Sequence, residues 1–142
     1  MGMHLEPPVV LIVDDHEDSL AMYAFGLLAM GFQPVIASTA EDAFSRACQI
    51  HPDIVVTDVT LPGLSGLDLT RQLRQDARTR DLRIVVLTAH AEAAMKQLAD
   101  AAGCDRFLVK PCMPDALAFT VREVLASRPL TAGDGRTISE AT

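Results

Sequence analysis

Acidic, hydroxyl and amino side chains stand at the ends of several short apolar runs in this sequence. Asp14 and Asp15 follow one run, Asp58 follows another, and Thr88 and Lys110 end two more. Carboxylates bind hard divalent cations and can act as nucleophiles, whereas a hydroxyl and an ammonium group can donate hydrogen bonds to a phosphate. Together, these residue types suit phosphoryl transfer, in which a protein mainly positions groups and neutralises charge.

The runs that carry these side chains are predicted to be β-strands. They are rich in branched aliphatic residues and cover residues 9–13, 35–37, 54–56, 84–87 and 107–109. Three of them are almost continuously apolar, as strands covered by helices on both faces require. Pro34 precedes the second run, and Asp105 and Arg106 precede the fifth, so we expect these two strands at the edges of a sheet.

Segments with the period of an amphipathic helix separate the strands. Apolar residues recur at helical spacing in segments 20–28, 40–48, 66–77, 91–99 and 117–125. Thr39 is suited to cap the second helix, and Pro114 to open the last one. Gly31 and Gly103 follow two of the segments, where a left-handed residue commonly ends a helix.

The alternation of strands and helices predicts an α/β fold. Parallel neighbouring strands need crossover helices, so we expect a doubly wound, five-stranded parallel sheet with helices on both faces. The two predicted edge strands are compatible with the strand order 2-1-3-4-5.

Such a sheet brings Asp14, Asp15 and Asp58 into one pocket at the carboxyl ends of its strands. Two carboxylates ~4 Å apart repel each other by about 4 kcal/mol at an effective dielectric of ~20, so a cation or a proton is required. Mg²⁺ is the simplest such cation, with Mn²⁺ as the alternative. Asp58 is then placed as the nucleophile, and Lys110 and Thr88 as donors to phosphate oxygens.

The whole chain restricts the partners. Its 142 residues carry a formal net charge of −7, which disfavours direct contact with nucleic acid or anionic lipid. No apolar run approaches ~18 residues, so no membrane insertion is expected. Three cysteines without a CxxC pair and no signal segment favour a cytoplasmic location. We expect an N-terminal extension at 1–8, one domain at 9–127 and a flexible tail at 128–142.

The ordered motifs resemble those of the response-regulator receiver family from residue 9 to residue 126. The matching segments are VDD at Val13 to Asp15, TDVTLPGLSG around Asp58, LTAH around Thr88, and Lys110-Pro111. The resemblance implies a flavodoxin-like fold in the order 2-1-3-4-5. It also implies a two-component phosphorelay in which Asp58 is phosphorylated by a sensor histidine kinase or a histidine phosphotransfer protein.

The resemblance further implies roles for individual residues. Asp14, Asp15, Asp58 and the backbone carbonyl of Thr60 would bind Mg²⁺, and Lys110 would pair with the phosphoryl group. Thr88 and Phe107 would form a switch that alters the face of the fourth helix, fifth strand and fifth helix toward a downstream protein target. Such a protein catalyses only its own phosphoryl transfer and dephosphorylation, so it is not expected to be a conventional enzyme.

The sequence leaves two alternatives open. A haloacid-dehalogenase-like phosphatase also uses an Asp nucleophile, but it carries a second Asp two residues later, where this chain has Thr60. A pseudo-receiver would bind partners without being phosphorylated.

Cys112 stands where a large apolar residue is common in receivers, and His16 is expected to be a surface residue at a helix start. The chain could be a stand-alone receiver or a part of a longer regulator.

Overall fold

A computed structural model of the protein describes residues 6–127. Its strands are β1 (Val9–Val13), β2 (Gln33–Ala37), β3 (Ile54–Asp58), β4 (Arg83–Thr88) and β5 (Arg106–Val109). Its helices are α1 (Glu17–Ala29), α2 (Ala40–Ile50), α3 (Gly66–Gln75), α4 (Ala93–Ala102) and α5 (Pro114–Ala126). The predicted tail at 128–142 and residues 1–5 of the predicted N-terminal extension lie outside the described residues.

The strands form one parallel sheet in the order β2-β1-β3-β4-β5, which confirms the predicted fold and both predicted edge strands. Pro34 lies inside β2, which pairs with β1 on one side only. β3 extends through Thr57 to Asp58, two residues beyond the predicted run, so Asp58 is itself the last residue of a fully buried strand.

Two apolar clusters cover the two faces of the sheet. α1 and α5 bury Leu20, Tyr23, Leu27, Leu117 and Val121 on one face. On the other face, α2, α3 and α4 contribute small or aliphatic residues, including Ala43, Ala47, Leu69, Leu73 and Ala99. Helices on both faces explain why the central strands are apolar at successive positions.

The apolar stripe predicted for the segment 91–99 is largely exposed. Ala91 precedes α4, and Leu98 is 53% exposed, whereas Ala99 is fully buried. The helix has ten residues and packs near the edge strand β5, which has only four residues. Few residues of the helix can therefore be covered by the sheet. α3 also ends at Gln75 and not at residue 77, because Asp76 is extended and binds Arg78.

The predicted caps are confirmed where they were expected. Thr39 accepts a hydrogen bond from the backbone N–H of Asp42 at the start of α2. Pro114 opens α5, and Gly103 ends α4 with φ of 105°. Within residues 6–127, no helix combines the length and the apolar character that a membrane span needs.

Candidate functional site

The polar residues singled out by the sequence lie at the carboxyl edge of the sheet. Asp14 follows β1 directly, Asp58 ends β3, Thr88 ends β4 and Lys110 follows β5. The strands are in register there, since Val13 pairs with Thr57, and Asp58 with Leu87. Parallel pairing therefore brings together four residues that are spread over almost a hundred positions of the chain.

Lys110 joins the two buried carboxylates of this group. Its Nζ lies 3.2 Å from Oδ2 of Asp58 and 3.3 Å from Oδ2 of Asp14. Asp14 is 1% exposed and Asp58 is 6% exposed, so both carboxylates are removed from most of the solvent. The backbone N–H of Lys110 donates to the carbonyl of Thr88 at 2.7 Å, which fixes the lysine at the end of the sheet.

The electrostatics of Asp58 reflect an incomplete charge balance. Burial raises the pKa of Asp58 above its ordinary value, and the charge of Asp14 raises it further, although Lys110 and a hydrogen bond from the Thr60 backbone lower it. Burial by itself would lower the pKa of Lys110, but the Asp58 and Asp14 carboxylates outweigh that effect and raise it. The lysine is therefore charged, and the carboxylate of Asp58 is held in an unfavourable environment.

Asp15 and His16 extend the acidic group toward solvent. The ligand atoms of Asp14, Asp15 and His16 all lie within 4.8 Å of one another. Nδ1 of His16 is 3.3 Å from Oδ1 of Asp14 and also 3.3 Å from Oδ1 of Asp15. His16 is the exposed residue that precedes α1, as expected, and its backbone N–H donates to Asp14 at 2.9 Å.

The donor set of this edge fits a hard divalent cation. The carboxylates of Asp14, Asp15 and Asp58 are opposed by the single ammonium of Lys110, which leaves negative charge uncompensated. Oxygen donors with excess negative charge are the environment that Mg²⁺ prefers. Asp14, Asp15, Asp58 and the carbonyl of Thr60 are the residues that would hold such an ion.

The two predicted switch residues lie on neighbouring strands, since Thr88 ends β4 and Phe107 lies in β5. Thr88 is 1% exposed, and its Oγ1 accepts a hydrogen bond from the backbone N–H of His90 at 3.0 Å. Phe107 is partly buried against the cluster that contains Val86, its partner in the strand register. Among residues 6–127, no hydrogen bond joins the hydroxyl of Thr88 to Asp58. The structure thus groups Asp14, Asp58 and Lys110 directly and leaves Thr88 beside them.

Two residues support the site in ways that the sequence indicated weakly or not at all. A Cβ atom on Gly66 would lie 1.9 Å from the carbonyl oxygen of Asp58, so only glycine fits there. The hydroxyl of Tyr23 donates to the carbonyl of Cys112 at 2.7 Å, a contact between residues 89 positions apart that no local pattern could reveal.

A recess at the opposite, amino edge of the sheet contains none of the predicted site residues. It encloses about 1440 Å³ and is lined by residues that include Pro7, Asp53, Arg74, Arg83 and Asp105. The predicted site residues therefore form a narrow polar group at the carboxyl edge, away from this broad recess.

Comparisons with known proteins agree with one another. The family described as the response regulator receiver domain matches residues 10–122. The phosphate regulon transcriptional regulatory protein PhoB of Klebsiella pneumoniae is 34% identical over 116 residues, which cover 82% of this chain and 51% of PhoB. The alkaline phosphatase synthesis regulatory protein PhoP of Bacillus subtilis is 32% identical over 123 residues, or 87% of this chain and 50% of PhoP. The chain thus spans about half the length of these curated relatives.

Solved structures give the same result for the fold. The chemotaxis response regulator CheY4 of Vibrio cholerae superposes with a TM-score of 0.79 at 27% identity, covering 83% of this chain and 98% of CheY4. A response regulator receiver domain protein from Clostridium thermocellum has a TM-score of 0.76 at 25% identity, covering 83% of this chain and 94% of that protein.

Proposed function

Because the chain belongs to the response regulator receiver domain family, we propose that it accepts a phosphoryl group on Asp58 within a two-component phosphorelay. The observation that carries the proposal is the group of Asp14, Asp58 and Lys110 at the carboxyl edge, where one ammonium contacts both buried carboxylates. The phosphatase alternative needs an acid two residues after the nucleophile, and this chain has Thr60 there.

In the proposed reaction, a carboxylate oxygen of Asp58 attacks the phosphorus of a phosphohistidine. An O–P bond forms, the P–N bond breaks, and the electron pair of that bond stays on the imidazole, which takes up a proton. A bound Mg²⁺ would supply Lewis-acid stabilisation of the transferring group. Lys110 already lies 3.2 Å from Asp58, so its ammonium can pair with a phosphoryl oxygen as negative charge arrives.

The proposed switch follows from the new acceptor oxygens. A phosphoryl group on Asp58 offers the hydroxyl of Thr88 a charged acceptor in place of its present role as acceptor from His90. Movement of Thr88 would free space on the face where Phe107 packs. The surface of α4, β5 and α5 then changes its affinity for a downstream protein, and the exposure of Leu98 (53%) and Val109 (40%) is consistent with such a contact.

The proposed phosphodonor is a sensor histidine kinase or a histidine phosphotransfer protein of the cytoplasm. Apolar side chains close to the site support a protein donor, because Met113 is 58% exposed and Phe25 of α1 is 77% exposed. Met113 lies in the loop that follows Lys110. Phe25 lies on α1, the helix that contacts this loop through Tyr23. The proposed output is likewise a contact with a protein and not with nucleic acid.

The test uses a small phosphodonor, acetyl phosphate, with Mg²⁺ and intact-mass spectrometry. We expect one phosphoryl group on the wild-type protein and none on Asp58→Asn. Asp105→Asn, which removes an acid at the opposite edge of the sheet, is the matched control and should still be modified. A label that persists in Asp58→Asn would refute the assignment, and an unlabelled wild type would favour the pseudo-receiver. Turnover of p-nitrophenyl phosphate would favour the phosphatase.

A further inference from the structure

We propose that Tyr23 is a positioning residue. It fixes the loop that carries Lys110 and thereby places the Lys110 ammonium for contact with the phosphoryl group. The inference rests on the proposed function, because it concerns how well Lys110 meets a phosphoryl group on Asp58. Tyr23 does not touch that group itself, so it acts only through the backbone of the loop.

The first observation is a buried hydrogen bond between α1 and this loop. The hydroxyl of Tyr23, a residue only 3% exposed, donates to the carbonyl of Cys112 at 2.7 Å. Cys112 is itself buried and packs in the same apolar cluster as Tyr23. A buried hydroxyl and a buried carbonyl both need a partner, so each group holds the other in place.

The second observation is a close contact one helical turn farther along α1. A Cβ atom on Gly26 would lie 2.4 Å from Cβ of Pro114, so α1 and the first residue of α5 approach to a distance that only glycine permits. The segment from Cys112 to Pro114 therefore rests on α1 at two successive turns. On its other side, Lys110 is bound to the carbonyl of Thr88 at 2.7 Å.

These anchors leave the backbone of Lys110 little freedom. β4 holds it on one side, and Tyr23 holds the loop two residues later on the other. The Nζ atom is then placed 3.2 Å from Asp58 and 3.3 Å from Asp14. Since a lysine side chain is flexible, the position of its ammonium depends on how firmly its backbone is held.

The environment of Tyr23 keeps its hydroxyl available as a donor. Burial raises the pKa of Tyr23, and the nearby Cys112, Asp14 and Asp58 raise it further, although Lys110 lowers it. The phenol therefore stays protonated at neutral pH. The same charges place Tyr23 within electrostatic reach of the site.

The experiment measures binding of beryllofluoride, a phosphoryl mimic, to the full chain in saturating Mg²⁺ by ¹⁹F NMR. Tyr23→Phe removes one hydroxyl and keeps the ring, so we expect about fivefold weaker binding. Val124→Ala shortens a buried side chain of the same cluster on α5 and is the control for general loosening; its affinity should equal that of the wild type.

A double-mutant cycle separates positioning from a merely structural role. In the Lys110→Ala background, Tyr23→Phe should cause no further loss of beryllofluoride affinity, because the group that it positions is gone. Equal affinity of Tyr23→Phe and wild type, or the same fivefold loss without Lys110, would overturn the inference. If the wild-type protein itself failed to bind beryllofluoride with Mg²⁺, the proposed function and not the role of Tyr23 would be refuted.

Discussion

The amino and carboxyl edges of the sheet differ in how their charged side chains are paired. At the amino edge, the guanidinium of Arg74 donates to the carbonyls of Gly103 and Arg80, both at 2.8 Å, to the carbonyl of Leu82 and to Oδ2 of Asp105 at 3.0 Å. The same oxygen of Asp105 accepts from the backbone N–H of Ile84 at 2.7 Å. At the carboxyl edge, one ammonium serves two buried carboxylates, with a third acid close by.

This difference separates a paired charge network from one with excess negative charge. The donors of Arg74 are directed to backbone carbonyls and one carboxylate, so this guanidinium is paired within the fold. The carboxyl edge has more negative than positive charge, and burial holds the pKa of Asp58 above its ordinary value. A bound cation would offset that excess of negative charge, as the proposed function requires.

The largest effect is expected from Gly66→Ala at the carboxyl edge. The new Cβ would lie 1.9 Å from the carbonyl oxygen of Asp58, and neither backbone can yield without moving β3 or α3. We expect a loss of more than about 3 kcal/mol in the free energy of unfolding, measured by urea denaturation. Gly31→Ala is the control: it has open space around the added atom and only an unfavourable φ of 95°, so it should cost about 1 kcal/mol.

A smaller effect is expected from Arg74→Ala at the amino edge. The change leaves the carbonyls of Gly103 and Leu82 and the carboxylate of Asp105 without their donor, and should lower the free energy of unfolding by about 2 kcal/mol. Labelling by acetyl phosphate should be unchanged under conditions in which the variant is folded. Loss of labelling by the folded variant would show that the two edges are not independent. Arg74→Lys keeps the charge but not the planar fork, and should restore little stability.

The smallest effect is expected from Asp58→Asn, and the sign of its change in the free energy of unfolding distinguishes the two edges. Asp58→Asn removes a buried charge and should raise the free energy of unfolding at pH 7 by on the order of 1 kcal/mol. Because the pKa of Asp58 is raised above 3.8 in the folded state, this carboxyl group binds more protons in the folded protein, and its contribution to stability is lost as the pH rises from 3.8 through the raised pKa. The advantage of the variant should therefore disappear at lower pH, as followed by thermal unfolding across a pH series.

Asp105→Asn should do the opposite at the amino edge. It weakens the pair with Arg74 and the hydrogen bond from Ile84, so the variant should be less stable than the wild type at pH 7. If both substitutions changed stability in the same direction, the contrast between the two edges would be wrong.

Much of the fold could be predicted, because strands and helices depend on the pattern of neighbouring residues along the chain. Apolar runs and helical periods placed five strands and five helices, and the position of Pro34 correctly indicated an edge strand. The prediction failed where burial depends on what a helix faces. Leu28 and Leu98 fit their stripes but are 60% and 53% exposed, because periodicity cannot tell how wide the covering surface is.

The sequence by itself determined which residue types end the strands, and hence that Asp14, Asp15, Asp58, Thr88 and Lys110 lie at one edge. Its ordered motifs also indicated the receiver family, which the comparisons confirm. Only the tertiary structure decided that Lys110 bridges Asp14 and Asp58 while Thr88 is bound to His90, and that Tyr23 holds the loop through Cys112. These contacts join residues up to 96 positions apart, and such distances are set by strand pairing and helix packing that no local pattern encodes.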